Sequence, residues 1–272
     1  MRIEGRTFIV TGGGNGIGRE VVLGLLARGA SVAAVDLREE GLAETTRLAG
    51  TAAASRLTTY AVNVTDRARV AEVVDEVAAS GLDGLLNVAG IIQPFVKVAD
   101  LSFEDMERVM DVNFWGVVNT TKPALPHLVS RPEACLVNVS SMGGFCPVPG
   151  QSVYGASKAA VKLFTEALYA EVRGTGVAVT VVFPGAIRTG ISDNSGVSMG
   201  GADGSSSTAA AEESNFPMTE PAEAARQIIE AVVKGSYRIT IGKDATMLDR
   251  ISRLAPQRAT DMIAKKMASL LG

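Results

Sequence analysis

The sequence TFIVTGGGNGIG, residues 7–18, passes from a short β-rich run through a turn of glycines into a segment with helical spacing. Helical spacing is indicated by Gly18, Val21, Val22 and Leu25, which follow the i, i+3, i+4, i+7 pattern of one buried helix face. A strand that leads through a tight turn into a helix is the first half of a β-α-β unit. The stretch therefore predicts an α/β fold that begins near the N-terminus.

The same alternation of β-rich runs and helical periodicity continues along the chain. With 47% hydrophobic and 5% aromatic residues, Val, Ala, Leu and Ile must do most of the packing, which suits parallel strands buried on both faces. We therefore predict a single Rossmann-type α/β domain over residues 1–272, with a doubly wound parallel sheet and helices on both faces. The predicted strands are residues 7–10, 31–35, 57–62, 82–88, 134–139, 177–183 and 238–241.

Two segments depart from this pattern. Residues 190–216 are rich in Gly, Ser, Ala and Asp and hold few large apolar side chains, so they cannot build a core of their own. We predict a flexible loop there that covers the substrate. Residues 243–272 are predicted to form a C-terminal helical extension, interrupted by Pro256.

Charge, cysteine content and hydropathy argue against several classes of protein. The 26 Lys and Arg residues are balanced by 29 Asp and Glu residues without a basic stripe, so no nucleic-acid partner is expected. Cys135 and Cys146 are too few for a disulfide framework and lack metal-site spacing, so no metal is expected. No apolar stretch reaches spanning length and no signal peptide is apparent, which predicts a cytoplasmic protein without a membrane span.

The glycines of residues 11–18 are suited to holding a pyrophosphate. Gly12 permits the tight turn, Gly16 lets the backbone approach the phosphates, and Gly18 lets the helix pack closely on the strand. The start of the helix adds free N–H groups and a partial positive charge. Because strand, turn and helix occur in the order that the motif requires, the stretch predicts a dinucleotide-binding site.

Asp36 ends the second predicted strand, 18 residues after Gly18. A carboxylate at this position can accept hydrogen bonds from the adenosine ribose hydroxyls and would repel a 2′-phosphate, which favours NAD(H) over NADP(H). The alternative is that Asp36 only caps a turn at the end of the strand. Arg38 lies close by in the sequence and leaves room for NADP(H).

Tyr154 and Lys158 are four residues apart, so on a helix they share one face. A free tyrosine has a pKa of about 10, which is too high for a good base near neutrality. A cation held nearby stabilises the tyrosinate and lowers that pKa. Tyr154 could then give a proton to a carbonyl oxygen or take one from an alcohol. Alone, such a pair is usually a solvated helix face, so the surrounding residues decide between the two interpretations.

Taken together, the motifs resemble those of the short-chain dehydrogenase/reductase family. The resemblance covers nearly the whole chain and is weakest in residues 190–216 and in the tail. The sequence departs from the family pattern at Asn63, where the family often has Asp, and at Val88, where it often has a second Asn. The matching motifs are the turn of residues 11–18, Asn87-Val-Ala-Gly90, Asn113, Ser140-Ser141, Tyr154-x-x-x-Lys158, and Pro184-Gly185 with Thr189.

The resemblance implies a catalytic set of four residues. Tyr154 is expected to be the general acid/base, and Lys158 to lower its pKa and bind the nicotinamide ribose. Ser141 is expected to polarise the reacting oxygen, and Asn113 to hold a water that links Lys158 to solvent. The implied activity is that of an oxidoreductase, a short-chain alcohol dehydrogenase or ketone reductase that transfers a hydride between NAD(H) and a secondary alcohol or ketone.

The resemblance also implies how NAD(H) is bound. Asn63 occupies the adenine-contacting position, and Ile187 and Thr189 are expected to meet the nicotinamide carboxamide. The full set of expected cofactor contacts is Gly12, Asn15, Gly16, Ile17, Gly18, Asp36, Leu37, Asn63, Val64, Asn87, Ala89, Gly90, Tyr154, Lys158, Pro184, Gly185, Ile187 and Thr189.

The small-molecule substrate is expected to meet apolar walls. Residues 145–149, between Ser141 and Tyr154, are mostly apolar, and residues 93–95 are expected to close another side. A bulky apolar alcohol or ketone, such as a steroid, a terpenoid or an aromatic compound, is consistent with these walls. The residues assigned to the substrate pocket are Gln93, Ser141, Phe145, Val148 and Tyr154.

Three other functions stay open at this point. An NADP(H)-dependent 3-ketoacyl carrier reductase would share the motifs, although Asp36 argues against it. A non-catalytic NAD(H)-sensing protein would use the fold to bind partners, but such proteins usually lose part of the catalytic set. A serine hydrolase would need a base, and His127, the single histidine, is expected to be structural. Family likeness also predicts a homodimer or homotetramer.

Overall fold

The structure is a computed structural model that describes residues 1–191, 195 and 218–266. Within these residues, seven parallel strands form one sheet in the order β3-β2-β1-β4-β5-β6-β7. The strands are β1 (Thr7–Thr11), β2 (Ser31–Asp36), β3 (Leu57–Ala61), β4 (Gly84–Asn87), β5 (Ala134–Val139), β6 (Val177–Pro184) and β7 (Arg238–Ile241).

Helices connect the strands and continue beyond the sheet. A π-helical turn, Asp111–Trp115, joins α4 to α5. The helices are α1 (Gly16–Ala27), α2 (Glu39–Ala49), α3 (Arg67–Ala78), α4 (Phe103–Met110), α5 (Gly116–Val129), α6 (Ser152–Glu171), α7 (Pro221–Lys234), α8 (Lys243–Leu254) and α9 (Pro256–Lys266). Short 3-10 turns lie at Thr51–Arg56, Val98–Asp100 and Met142–Gly144.

The central strands are buried on both faces because successive side chains point into two different cores. On β1, Phe8 and Val10 face one core and Ile9 faces the other, and all three are at most 1% exposed. Helices α1 and α7 cover the first core, whereas α3, α5 and α6 cover the second. This arrangement confirms the predicted doubly wound parallel sheet with helices on both faces.

The carboxyl ends of the strands form an edge where the strand order changes direction. Strand β1 lies between β2 and β4, and ligands of open α/β sheets bind at such a point. At the end of β1, the hydroxyl of Thr11 accepts hydrogen bonds from the N–H groups of Val88, at 3.1 Å, and Ala89, at 3.2 Å. The turn after β1 and the loop after β4 are therefore held side by side.

The predicted element bounds differ from the structure in a few places. Strand β4 begins at Gly84 rather than at residue 82, although Leu82 is 1% exposed. A hydrophobic run in the sequence indicates buried residues. Here the buried segment begins before the residues that hydrogen-bond to the neighbouring strands, so the strand was predicted to start too early. Most of the predicted substrate loop at residues 190–216 lies outside the described residues, as do residues 267–272 of the predicted C-terminal extension. The described part of that extension contains α8 and α9.

Candidate active site

A cleft of about 810 Å³ opens at the carboxyl edge of the sheet. Its walls come from the glycine turn, from the loops after β2 to β6 and from helix α6. The predicted site residues that line it are Gly12, Asn15, Gly16, Ile17, Gly18, Asp36, Leu37, Asn63, Val64, Ala89, Gly90, Ser141, Tyr154, Lys158, Pro184, Gly185, Ile187 and Thr189.

The glycine turn has the tight geometry that a pyrophosphate requires. Gly12 has a φ of +71°, and a Cβ placed on it would lie 2.9 Å from the backbone nitrogen of Ala89. A Cβ on Gly18 would overlap the carbonyl oxygen of Gly12. Helix α1 starts inside the turn, capped by Asn15, whose side chain accepts the N–H of Gly16. The turn and the helix start fit the phosphates of a dinucleotide.

Asp36 lies against this turn from the end of β2. Its two carboxylate oxygens accept the N–H groups of Gly14, at 2.9 Å, and Arg38, at 3.1 Å. A Cβ on Gly14 would come within 2.9 Å of the carboxylate, so glycine is needed for this approach. A carboxylate can accept about four hydrogen bonds, which leaves capacity for ribose hydroxyls. The structure therefore shows the turn-capping role and is compatible with the ribose role as well.

Arg19 supports the glycine turn from behind and was not predicted. Its guanidinium donates to the carbonyl oxygen of Gly14, and its Nε donates to the hydroxyl of Thr45 at 3.1 Å. That hydroxyl in turn donates to the carbonyl oxygen of Gly13 at 2.9 Å. One signal was available in the sequence, because Arg19 comes directly after Gly18, the last glycine of the turn. Its side chain lies on the face of α1 that meets α2.

Ser141 and Tyr154 meet at the floor of the cleft. Ser141 follows β5 and accepts the N–H of Gly143 at 3.1 Å, while Ser140 turns away and donates to the carbonyl oxygen of Lys158 at 2.7 Å. Burial raises the pKa of Tyr154 because the tyrosinate would lose hydration, and a hydrogen bond with Ser141 acts in the opposite direction. Of the two serines, Ser141 is therefore the one that contacts the tyrosine.

Lys158 lies one helical turn beyond Tyr154 and is 4% exposed. Its Nζ donates to the carbonyl oxygen of Val139 at 3.1 Å and lies 5.9 Å from the centroid of the Tyr154 ring. Burial lowers the pKa of Lys158 to about 8, because the ammonium is costly to desolvate. In this structure burial, rather than the lysine charge, has the largest effect on the pKa of Tyr154.

Asn113 lies behind the wall of the cleft, on the π-helical turn. Its Nδ2 donates to the carbonyl oxygen of Ile91, at 2.9 Å, and to the hydroxyl of Ser157, at 3.0 Å. Its Oδ1 accepts the N–H of Ile91 at 2.9 Å. A Cβ on Gly90 would lie 3.1 Å from Oδ1 of Asn113 and 3.0 Å from Nζ of Lys158. The absence of a side chain at Gly90 therefore leaves room for both of these polar groups.

Asn87 is directed into the protein rather than into the cleft. It is 2% exposed, and its Nδ2 donates to Oδ1 of Asn138, at 2.9 Å, and to the hydroxyl of Thr121, at 3.2 Å. The hydroxyl of Thr120 donates to its Oδ1 at 2.7 Å. Asn87 thus joins strands β4 and β5 to helix α5 beneath the site.

Three residues assigned to the substrate pocket lie elsewhere. Gln93 is fully buried, and its Oε1 accepts the N–H groups of Val153 and Tyr154 at the start of α6. Phe145 packs against Phe183, with ring centroids 5.3 Å apart, and Val148 packs on the cluster that includes helices α8 and α9. The described apolar wall of the cleft is formed instead by Ile91, Ile92, Phe95, Val112, Ala186, Ile191 and Met218.

Features of other kinds of site are absent from the described part of the chain. Both cysteines are buried there, and burial raises the pKa of Cys135 to about 12, which leaves it an unreactive thiol. No group of three or more His, Cys, Asp or Glu residues in the described ranges is placed to hold a metal ion. Among the described helices, none combines the length and the apolar character needed to cross a membrane.

Comparison with known proteins identifies relatives in sequence and in structure. A family model described as short chain dehydrogenase matches residues 6–198. SadH of Mycobacterium tuberculosis is 37% identical over 97% of this chain and 96% of its own length. A short chain dehydrogenase of Mycobacterium paratuberculosis, solved bound to NAD, is 27% identical, with a TM-score of 0.77 over 91% of this chain and 100% of its own. The closed form of serine dehydrogenase, complexed with NADP⁺, is 28% identical, with a TM-score of 0.75 over 86% of this chain and 93% of its own.

Proposed function

The chain belongs to the short-chain dehydrogenase/reductase family, and from this premise we propose that it transfers a hydride between NAD(H) and a secondary alcohol or ketone. The observation that carries the proposal is the contact of Ser141 with Tyr154 on the floor of the cleft, with the ammonium of Lys158 at 5.9 Å from the tyrosine ring. Two hydroxyl groups in contact, with a buried ammonium nearby, suit proton transfer to and from a single substrate oxygen.

The chain's own residues would bind the substrate oxygen and move its proton. Ser141 Oγ and Tyr154 Oη would both hydrogen-bond that oxygen. During alcohol oxidation Tyr154 would accept the hydroxyl proton, and during ketone reduction it would return it. Lys158 would favour the tyrosinate through its charge, and Asn113 would hold the backbone of Ile91 beside it. The nicotinamide ring, when bound, supplies or accepts the hydride.

Asp36 supports a preference for NAD(H) over NADP(H). Its carboxylate lies beside the glycine turn, where it could accept the ribose hydroxyls and would repel a 2′-phosphate. Arg19 and Arg38 also line this end of the cleft. Arg19 already donates to Gly14 and Thr45, which reduces its availability to a phosphate. We therefore propose NAD(H), rather than NADP(H), as the preferred cofactor.

The substrate proposed is a bulky, uncharged alcohol or ketone. The described lining of the cleft includes a set of apolar side chains, among them Ile92, Phe95, Val112 and Met218. Of the charged residues that line the cleft, Arg19, Asp36, Arg38 and Glu40 lie on α1, at the end of β2 and around the start of α2, whereas Lys158 lies beside Tyr154. A charged substrate would lose hydration beside these apolar side chains, which favours an uncharged one.

The proposal is tested by cofactor titration followed by a substrate screen. Fluorescence titration of NADH and NADPH should show tighter binding of NADH. Oxidation is then assayed with aromatic, terpenoid and steroid secondary alcohols, and with charged hydroxy acids as the comparison set. Turnover of the apolar set with NAD⁺ supports the proposal. Binding of NADH without turnover of any alcohol or ketone would favour the NAD(H)-sensing alternative.

We extend the proposal to a homodimer or homotetramer. Phe103 on α4 is 77% exposed, Leu163 on α6 is 63% exposed, and Trp115 between α4 and α5 is 44% exposed. Large apolar side chains that are exposed on helices of one face would form a surface suited to a second copy of the chain. Light scattering should give a mass of two or four chains for the native protein and a smaller mass for Leu163→Asp. A monomeric native protein contradicts this extension.

A further inference from the structure

The loop after β6 enters the cleft and is tied down on two sides by the C-terminal part of the chain. Its residues Gly185, Ala186 and Ile187 line the cleft. They follow β6, which pairs with β5, and β5 leads into Ser141. On one side, the N–H of Thr219 donates to the carbonyl oxygen of Ala186 at 2.9 Å, and the N–H of Arg188 donates to the carbonyl oxygen of Thr219 at 3.0 Å. These bonds fix the outer edge of the loop.

A buried carboxylate ties down the other side. Oδ2 of Asp244 accepts the N–H of Ala186 at 2.8 Å, and the residue is 7% exposed. Asp244 lies in the first turn of α8, where a carboxylate is favoured by the helix dipole. The N-cap residue of α8 is Gly242, which has no side chain, and the carboxylate of Asp244 bonds to the cleft loop.

Two glycines make room for this carboxylate. A Cβ placed on Gly185 or on Gly242 would overlap the carboxylate of Asp244. Gly185 has an ordinary backbone conformation, so its lack of a side chain is explained by the approach of Asp244 and not by the turn itself. The carboxylate is therefore packed directly on the main chain that forms the cleft wall.

We propose that Asp244 is a positioning residue for the nicotinamide half of the cofactor. It would act by fixing the backbone of Ala186 and its neighbours in the position that contacts the nicotinamide ring and its carboxamide. This inference rests on the proposed use of NAD(H). Helix α8 lies beyond residues 6–198, which the family model matches, so the C-terminal extension would complete the cofactor site. The adenosine half, at Asp36 and the glycine turn, would not depend on Asp244.

The test compares two ligands on the intact protein. NADH carries the nicotinamide, whereas ADP-ribose keeps the adenosine, the pyrophosphate and the second ribose but lacks the ring. For Asp244→Ala, the Kd of NADH should rise roughly tenfold, the scale of one lost hydrogen bond to a charged group. The Kd of ADP-ribose should change by less than about twofold. Asp261→Ala, an exposed acidic residue on α9, is the matched control and should change neither Kd.

Other outcomes separate the possible failures. If Asp244→Ala leaves both Kd values unchanged, or raises both equally, the positioning role is overturned. If the native protein binds ADP-ribose but not NADH, the proposed function fails instead. Gly185→Ala gives a second variant that reaches the same contact. It should weaken NADH binding by displacing the carboxylate, and it should weaken it much less when combined with Asp244→Ala.

Asp244→Asn tests the contact with least disturbance to folding. The amide keeps one oxygen that can accept the N–H of Ala186, so NADH affinity should lie between those of the native protein and Asp244→Ala. Thermal melting checks that each variant is folded before titration. An Asp244→Asn protein that is folded and yet binds NADH less tightly than Asp244→Ala would contradict a role through this hydrogen bond.

Discussion

Oε1 of Gln93 accepts the backbone N–H of Tyr154 at 2.9 Å. The same oxygen accepts the N–H of Val153 at 2.8 Å, and Nε2 of Gln93 donates to the carbonyl oxygen of Gly150 at 3.0 Å. Helix α6 has no side-chain cap from its own N-cap residue, Gln151. The helix that carries the candidate acid/base is therefore capped by a side chain from the loop after β4, 61 residues away.

Replacing Gln93 by Met should destabilise the protein and impair turnover. Met has a similar volume but no acceptor, so the N–H groups of Val153 and Tyr154 lose their partner. The loss should lower the free energy of unfolding by about 1–2 kcal/mol, the usual scale for a helix cap. It should also lower kcat more than it raises the KM for the alcohol, because Tyr154 shifts at the helix start. Urea unfolding and steady-state kinetics measure the two effects.

Gln93→Glu is the matched variant because it keeps an acceptor at the same place. A carboxylate at a helix start is also favoured by the dipole. This variant should therefore recover stability relative to Gln93→Met at neutral pH. Equal destabilisation by Glu and Met would mean that the loss of the donor to Gly150, together with burial of the carboxylate, outweighs the cap.

Gln93 also shows where sequence reasoning reaches its limit. The sequence prediction put Gln93 in the wall of the substrate pocket, but the direction of its side chain depends on the backbone of an irregular loop. Phe145 is a similar case. Its ring packs against Phe183 and Arg238, which lie on strands distant in the sequence. Periodic patterns carry no information about such partners.

The parts that were predicted well rest on local or periodic signals. Strands such as β5 are fully buried and rich in branched residues, so their positions follow from composition. The glycine turn can be recognised in the sequence because its steric requirements act within a few residues, as at Gly12 and Gly18.

Asn87 and Asp244 could not be assigned in this way. Asn87 ends β4, where a shift of one position along the strand decides whether a side chain points to the cleft or to the interior. Asp244 had no local signal, because its partner lies 58 residues earlier.

Tyr154→Phe should abolish most turnover without loss of the cofactor. The variant removes the hydroxyl that would carry the proton and keeps the ring that packs in the cleft. General acid/base catalysis contributes about 10²–10⁴-fold, so kcat should fall within that range. NADH affinity should change by less than about twofold.

Tyr169→Phe is the control for this experiment. Tyr169 lies on the same helix, is 41% exposed and does not line the cleft. Its variant should retain native kcat. Native activity in Tyr154→Phe would show that another group moves the proton.

Asp36→Asn should reduce the discrimination against NADPH. The substitution removes a negative charge beside the place of the 2′-phosphate, while the amide oxygen can still accept the N–H of Gly14. The ratio of kcat/KM for NADH to that for NADPH should fall roughly tenfold, or about 1.4 kcal/mol, a plausible scale for one charge near a protein surface. Glu39→Gln, an exposed position that does not line the cleft, provides the same change of net charge. An equal fall in that control would assign the effect to overall charge.

Lys158→Met should be more stable than the native protein near neutral pH and inactive. Burial lowers the pKa of Lys158 from 10.5 to about 8. Below pH 8 the folded protein must therefore keep a costly buried ammonium, at up to about 3 kcal/mol. Between pH 8 and 10.5 the unfolded chain still holds a proton that the folded protein has released, so unfolding takes up a proton and native stability rises with pH.

The stability advantage of Lys158→Met should therefore shrink as the pH rises from 8 to 10.5. Part of the advantage is offset at every pH, because the variant leaves the carbonyl oxygen of Val139 without its donor. Urea unfolding of both proteins at pH 7, 8, 9 and 10 measures the difference. Lys97→Met, at an exposed position, should show a difference that does not change with pH over this range. A difference that stays constant for Lys158→Met as well would mean that the folded protein keeps the lysine pKa near its ordinary value, and the buried cation beside Tyr154 would then be solvated.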